Sequence, residues 1–428
     1  MGLLEKEFMH YPKRRILPRT KVRVKPFDVE TTFSEVILER ENRARKYHGP
    51  DSPLYSANYP LICIMKVFGL APYDFTGDEM TPSNACLIFS LAFMCIYCHI
   101  MYIVYLRFTT FKRHKAVLGV VETTKVQVAG GILASTMYTR KAFCRFWNSL
   151  QDFDERLCRL GYPRDEMNTK IAVWTLLTSQ TILWTLVNQS GMYAFMETWL
   201  FNMSYMCVYV GTAISVYKFV GTACFLGQRF HQLNRIAKEN LPPKHGYRSS
   251  SVSRKTIQDL HYELVLSAGV LNSLYRWSLL FWLGNLSVHT ISNLYFIIDW
   301  VLLTRWSAIA WPLIFNMCLW LVGFMSQLVA LHIVCDYTTT EADTARTSLH
   351  FLNRRLCFSA GGLFNVNLSL LCSVNGVSIS ITISAVSCNY LLPRESERLI
   401  GFRLIIVIFK CQRSNRKLHG EKASQGIL

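Results

Sequence analysis

The chain has 428 residues, of which 51% are hydrophobic and only 17% are charged, and its net charge is +18. Too few charged side chains are present to cover a soluble protein of this length, so the composition excludes an ordinary soluble domain and indicates a polytopic membrane protein. No P-loop, nucleophile elbow, zinc-protease motif or glycine-rich nucleotide fingerprint occurs. The basic segments lack interleaved aromatic residues that would stack on bases. We therefore expect no enzymatic activity, no cofactor or metal, and no nucleic-acid partner.

The N-terminal part of the chain is polar and basic. We interpret residues 1–57 as a cytoplasmic segment in which the run KRRILPRTKVRVK, at 13–25, faces anionic lipid head groups. The next stretch, 58–72, is short and is interrupted by Lys66, so we expect it to lie against the membrane as a lead-in to the first span.

Six apolar stretches with at most one charged side chain follow in chain order. They are 85–106, 171–187, 198–228, 277–298, 306–335 and 356–392. A seventh and weaker stretch, 116–138, carries Glu122 and Lys125 on one helix face, which we interpret as an ion pair near the interface or between helices. Backbone groups in hydrocarbon are satisfied only in helices or closed barrels, so these stretches predict an all-α fold of seven transmembrane helices.

The distribution of basic residues predicts the orientation of these helices. The N-terminal segment and the even loops contain thirty Lys and Arg residues, whereas the odd loops contain six. Because positive charge accumulates on the cytoplasmic side, we expect a cytoplasmic N-terminus and an extracellular C-terminus. This orientation is opposite to that of a G-protein-coupled receptor.

Two segments are predicted as cytoplasmic extensions of the membrane helices, at about 229–276 and 336–361. An apolar stripe occurs in the first of them at spacings of four, four, three and four residues, which is typical of one helix face. Its members are Leu260, Leu264, Ala268, Leu271 and Tyr275. Two interpretations remain open, because the stripe either packs within its own subunit or forms a contact between subunits.

Several short motifs resemble those of the insect gustatory receptors in their amino-acid sequence and in their order along the chain. They are Arg229-Phe230 with Leu233-Asn234, Leu260-His261 with Leu264, Leu271-Asn272 with Tyr275, and Gly362-Leu363-Phe364 with Ser369-Leu370-Leu371. The resemblance covers nearly all of residues 50–388. It implies a plasma-membrane, multi-pass cation channel that is nonselective, is opened by a small tastant such as a sugar or a bitter compound, and contacts membrane lipids. It also implies a homo- or heterotetramer in which the last helix lines one pore.

The resemblance assigns roles to particular residues. Those placed in the pore or its gate are Asn375, Ser378, Ser384 and Cys388. Those expected at the ligand pocket, as aromatic walls, are Trp184, Tyr193, Trp199, Tyr205, Trp282, Tyr295 and Trp311. Those assigned to a subunit anchor are Leu260, Leu264, Leu271 and Tyr275. The family's closing Thr-Tyr and Gln-Phe pairs are replaced here by Ser380-Ile381 and Ser387-Cys388.

The expected domain plan is a receptor channel at 58–392 followed by a basic tail at 393–428. Eight basic residues on the predicted outer side contradict the charge rule, and three explanations remain open. Either the tail is translocated nevertheless, or the stretch 400–409 enters the membrane interface, or the tail comes from an alternative or misassigned last exon. Two other functions also remain open: a G-protein-coupled receptor, and a polytopic transporter or lipid-modifying enzyme that uses Glu122.

Overall fold

The computed structural model shows a bundle of long helices, as the sequence predicts. It describes residues 49–50, 52–109, 116–196, 198–240, 252–303, 311–349, 356–371, 373 and 376. The helices are α1 (Pro53–Val67), α2 (Asn84–Thr109), α3 (Ala116–Arg159), α4 (Met167–Phe195), α5 (Trp199–Asn240), α6 (Arg254–Leu303) and α7 (Trp311–Leu349). A further helical segment begins at Leu368.

Two small antiparallel ribbons interrupt the helices. The first pairs β1 (Tyr73–Thr76) with β2 (Glu79–Pro82) between α1 and α2. The side chain of Asn148 on α3 holds this ribbon, because its Oδ1 accepts from the amide of Met80 at 3.1 Å and its Nδ2 donates to the carbonyl of Met80 at 3.2 Å. The second ribbon pairs β3 (Ser359–Ala360) with β4 (Phe364–Asn365) after α7.

Within the described residues, α4, α5, α6 and α7 are long and apolar enough to cross a membrane, and α2 contains a shorter apolar stretch at Asn84–Ile100. The predicted all-α polytopic fold is therefore confirmed, whereas the orientation of the termini stays a prediction. The weak seventh stretch lies within the helix α3. The side chains of Glu122 and Lys125 are outside the described set, as is the whole tail at 393–428.

Several helices are much longer than the hydrocarbon core is thick, and the three longest are α3, α5 and α6. The helix α6 has 50 residues, which corresponds to about 75 Å at a rise of 1.5 Å per residue. Because a hydrocarbon core of about 30 Å needs about 20 residues, more than half of α6 extends beyond it. The helices α3 and α5, with 44 and 42 residues, extend in the same way.

The helix α5 forms the centre of the bundle. In its most apolar window 72% of the residues are buried, against 22% for α4, which therefore has a largely peripheral position. Core side chains such as Phe219 and Phe230 on α5 and Leu328 on α7 are completely buried. The helix α1 buries Leu61 and Met65 in this core. That the stretch 58–72 lies against the membrane stays a prediction.

The structure corrects the start of the last span and the end of the second extension. The uncharged run at 356–392 does not begin as a helix, because its first part is extended and forms the ribbon β3–β4. Gly361 and Gly362 have φ values of +61° and +73°, which an L-residue rarely adopts and which end any helix there. A side chain at Gly362 would also place its Cβ 2.3 Å from the guanidinium of Arg276. The extension predicted at 336–361 is helical only as far as Leu349 within the described residues.

Candidate functional site

Four helices bring aromatic rings together in one half of the bundle. Trp184 comes from α4, Tyr209 from α5, His289 from α6, and Trp320 and Phe324 from α7, and we call these five residues the aromatic cluster. Ring centroids are 5.5 Å apart for Trp184 and Trp320, 4.4 Å for Tyr209 and Trp320, and 4.5 Å for His289 and Phe324. Trp320 and Phe324 are four residues apart, so they lie on one face of α7. The rings are in mutual contact and form a closed, largely buried centre between α4 and α7.

A belt of buried amides lies next to this cluster. Asn202 donates to the carbonyl of Asn188 at 2.8 Å and to its Oδ1 at 2.9 Å. Asn316 donates to the carbonyl of Val187 at 3.0 Å and to the hydroxyl of Ser190 at 2.8 Å. We call Asn188, Ser190, Asn202 and Asn316 the polar belt. It joins α4 to the beginnings of α5 and α7.

The helix directions place the polar belt on one side of the aromatic cluster. Asn188 follows Trp184 by four residues, while Asn316 precedes Trp320 by four. Both offsets, of about 6 Å along the axis, point toward the end of the bundle at which α4 ends and α7 begins. The aromatic cluster and the polar belt therefore lie next to each other in the same space between the helices.

Some hydrogen-bonding capacity in this space is unused. The indole Nε1 of Trp184 and the Oδ1 atoms of Asn202 and Asn316 are buried without a hydrogen-bond partner among the described residues. Such groups cost free energy unless a partner is supplied, so they are candidates to bind a ligand that carries hydroxyl groups.

Among the predicted pocket residues whose side chains the structure describes, only one belongs to the aromatic cluster. Trp184 does, whereas Tyr193, Trp199 and Trp311 are exposed near helix ends, with 71%, 57% and 55% of their surface accessible. This position is typical of aromatic residues at a membrane interface.

The other predicted pocket aromatics lie elsewhere. Trp282 is buried against Phe219 and Tyr275, about two turns along α6 from His289. Tyr295 is half-buried beside Phe296. The side chain of Tyr205 is outside the described set.

Sequence analysis missed Tyr209, His289, Trp320 and Phe324. Two signals were available for them. His289 is an ionisable group inside an apolar stretch, which is by default a functional candidate. The pair Trp320 and Phe324 has helical i,i+4 spacing.

The predicted anchor stripe is placed within its own subunit. Leu260, Leu264 and Leu271 are at most 3% exposed, and Tyr275 packs against Phe219 at 5.1 Å. Neighbouring contacts show the partners: His261 packs on Phe230 of α5, and Ser267 bonds with the hydroxyl of Ser149 on α3 at 3.2 Å. The side of α6 that carries these residues is therefore covered by the same chain. This agrees with the interpretation that the stripe packs within its own subunit.

The opposite face of α6 carries a second apolar stripe that is exposed. Its members have 41–59% of their surface accessible and recur at helical spacing; we call them the outer stripe of α6. They are Tyr262, Leu266, Val270, Trp277 and Phe281.

The predicted gate residues, namely Asn375, Ser378, Ser384 and Cys388, lie outside the described residues. The structure instead shows how the beginning of the last helical segment is held. The amide of Ser359 donates to the Oδ1 of Asn272 at 2.9 Å, and Gly361 exchanges hydrogen bonds of 2.8 and 3.0 Å with Arg276. Phe358 is fully buried, with its ring edge-to-face on Phe219. The ribbon β3–β4 is thus fixed to α6.

A buried ion network joins α3, α4 and α5. The guanidinium of Arg229 is completely buried and donates through Nε to Asp154 at 2.9 Å, with a second contact from Nη2. Arg164 pairs with Glu166. Burial acts to raise the pKa of the Glu166 carboxyl, but Arg164 and Arg229 outweigh that effect and lower this pKa. No group of His, Cys, Asp and Glu among the described residues is arranged to hold a metal.

Comparisons with known proteins agree with this architecture. A model of the 7tm chemosensory receptor family matches residues 59–383. The fold is similar to that of the insect olfactory receptor OR5 from Machilis hrabei, with a TM-score of 0.55 and 12% identity over 76% of this chain and 96% of that one. The same receptor in complex with eugenol gives a TM-score of 0.54 and 13% identity over 78% and 98%. No curated protein matches the sequence.

Proposed function

The chain belongs to the 7tm chemosensory receptor family, and on this premise we propose that it is a gustatory receptor that works as a ligand-gated, nonselective cation channel of the plasma membrane. The short motifs that resemble those of gustatory receptors support a role in taste. Membership of a receptor family argues against the alternative that the protein is an enzyme. The single observation that carries the ligand-binding part is the aromatic cluster with unpaired polar groups beside it.

The chemistry of this space indicates the class of ligand. Aromatic faces stack on flat rings or on the apolar faces of sugars, while the unpaired amide oxygens of Asn202 and Asn316 accept from hydroxyl groups. The indole N–H of Trp184 donates to a ligand oxygen. A small ring compound with hydroxyl groups therefore fits best, and such a compound enters by separating rings that contact one another in this structure. The similar structure of OR5 is in complex with eugenol, and this supports the proposal of a small ligand.

Ionic current through purified protein in a lipid bilayer tests this function. We expect a panel of sugars and bitter compounds to contain at least one agonist. For that agonist, Trp184→Phe keeps a ring but removes the donor, so the half-maximal concentration should rise about tenfold, the value of one lost hydrogen bond. Trp174→Phe is the matched control, because Trp174 lies on the same helix and is 53% exposed.

Two outcomes would contradict the proposal. If only volatile odorants and no sugar or bitter compound evoke current, the receptor is olfactory and not gustatory. If Trp184→Phe and Trp174→Phe give equal responses to the agonist, the ligand binds elsewhere and the aromatic cluster is ordinary core.

We also propose that subunits assemble through the outer stripe of α6. The part of this helix before about residue 277 extends beyond the hydrocarbon, so Tyr262, Leu266 and Val270 would face water in a monomer. Exposed apolar patches of this kind mark interaction surfaces. The resemblance to gustatory receptors implies that the partner is another subunit of a homo- or heterotetramer.

Native mass spectrometry of the receptor in detergent tests the assembly. Wild type should be tetrameric, and Leu266→Glu with Val270→Glu should give mainly smaller species, because each substitution would bury a charge in the contact. Lys255→Glu changes the charge at an exposed polar position of the same helix and should keep the tetramer. A double variant that assembles as wild type would show that another surface joins the subunits.

A further inference from the structure

A small cavity lies apart from the aromatic cluster, between α1, the ribbon β1–β2, α3 and α5. It has room for roughly one particle of the size of a water molecule. Most of its wall is apolar, with side chains such as Leu61, Met80 and Phe143. Five polar side chains interrupt this wall, namely Asn58, Tyr73, Trp147, Lys218 and Thr222. The hydroxyl of Thr222 already donates to the carbonyls of Lys218 and Phe219 on its own helix.

Lys218 is the charged group of this cavity. Its residue is only 5% exposed, its Nζ donates to the carbonyl of Leu70 at 3.2 Å, and it lies 4.3 Å from the ring centroid of Phe143. No carboxylate of the described residues forms an ion pair with it. The remaining protons of the ammonium are thus left without a charged acceptor, although buried charges are normally paired.

The position of Lys218 along α5 brings the cavity close to a membrane surface. It follows Trp199, the first residue of the helix, by nineteen residues, which corresponds to about 28 Å. Trp199 is exposed and suited to one interface, so Lys218 lies near the level of the other.

Three further polar atoms in the wall of the cavity also lack partners. The indole N–H of Trp147, the hydroxyl of Tyr73 and the Oδ1 of Asn58 are all buried without a hydrogen bond within the described part of the chain. Two of these three groups are donors. Together with the ammonium of Lys218 they form a set of donors around a positive charge, and this is the chemistry that recognises an anion.

We propose that this cavity binds one monovalent anion of the size of chloride, held by Lys218, Trp147 and Tyr73. The size of the cavity excludes phosphate and organic acids, and a single charge balances the single ammonium. The Oδ1 of Asn58 is an acceptor and therefore does not contribute to holding the anion. A water molecule in the same place would satisfy the hydrogen bonds but would leave the charge uncompensated.

Two measurements on the purified full-length receptor in detergent test the site. The first is the binding of radioactive chloride, for which we expect saturation at one ion per chain and competition by bromide but not by gluconate. The second is the thermal unfolding midpoint at constant ionic strength. Replacement of gluconate by 150 mM chloride should raise the midpoint by about 2–4 °C, because a ligand that binds only the folded state stabilises it.

Three variants connect the effect to the cavity. Lys218→Met should abolish both chloride binding and the difference in midpoint between the two salts. Trp147→Phe keeps the charge and the ring but removes one donor, and it should weaken chloride affinity several-fold, which gives a second test if Lys218→Met does not fold. Lys238→Met is the matched control, because it removes an exposed lysine from the same helix and should bind chloride as wild type does.

Either of two results would overturn the proposal. If wild type binds no chloride in a saturable manner and unfolds at the same temperature in both salts, the cavity holds water and Lys218 is uncharged. If Lys218→Met binds chloride like the Lys238→Met control, chloride stabilises the receptor at another place.

Discussion

Removal of the charge of Asp154 should strongly destabilise the receptor. The variant Asp154→Asn leaves the guanidinium of Arg229, which is 0% exposed, without the carboxylate that it contacts at 2.9 Å. At an effective dielectric constant of 20, the attraction lost is about 5–6 kcal/mol. The same substitution removes the free-energy cost of burying a charged carboxylate, a few kcal/mol, and this offsets part of the lost attraction. Glu166 stays 3.9 Å from Arg229 and retains part of the compensation. We therefore expect a net loss of about 3 kcal/mol in the free energy of unfolding.

Thermal unfolding in detergent measures this loss. About 3 kcal/mol should lower the unfolding midpoint by roughly 3 °C for a chain of this size. The double variant Asp154→Leu with Arg229→Met removes both charges and should recover most of the stability, because neither ion is left buried and unpaired.

The matched control is Glu239→Gln, which breaks the exposed pair of Arg235 and Glu239 on α5, 3.6 Å apart. Such surface pairs contribute less than about 1 kcal/mol. Equal midpoints for Asp154→Asn and Glu239→Gln would refute the reasoning. So would a double variant that is as unstable as Asp154→Asn alone.

Two further predictions concern helix packing and orientation. Gly227→Val would place a Cβ 2.7 Å from the ring of Tyr337, so the yield of folded receptor in size-exclusion chromatography should fall sharply. Gly284→Val is the control, because its side chain meets open space and the variant should fold. Equal yields of the two variants would contradict this packing. An epitope in the connection 304–310 should bind antibody on intact cells, and one at 241–251 only after permeabilisation; the reverse pattern would favour a G-protein-coupled receptor.

The sequence predicted the helices of the membrane region well, because the absence of charge over about 20 residues is itself the physical requirement for a span. It also identified the buried stripe of α6, since Leu260, Leu264 and Leu271 share a helix face that must be covered. The receptor family inferred from short motifs is confirmed by the match over residues 59–383.

Other features depend on contacts that no local pattern contains. The uncharged run at 356–392 gave no sign of the ribbon, because hydropathy does not register the positive φ angles of Gly361 and Gly362. Whether a tryptophan faces lipid or another helix depends on neighbours far away in the sequence. Trp184 and Trp199 therefore appeared equivalent, although one is buried and the other exposed.

The ribbon β3–β4 has a consequence for how the receptor is made. Ser359 bonds to Asn272, 87 residues earlier in the chain, and Gly361 bonds to Arg276, 85 residues earlier. Contacts of such long sequence separation form late, after the intervening helix α7 has been synthesised and has folded back. A chain that stops before Phe358 leaves the buried ring of Phe219 uncovered on that side and Arg276 without its backbone acceptor. Chains that end before this ribbon would thus expose an apolar surface with an unpaired guanidinium, and we expect them to be less stable than the chain that contains it.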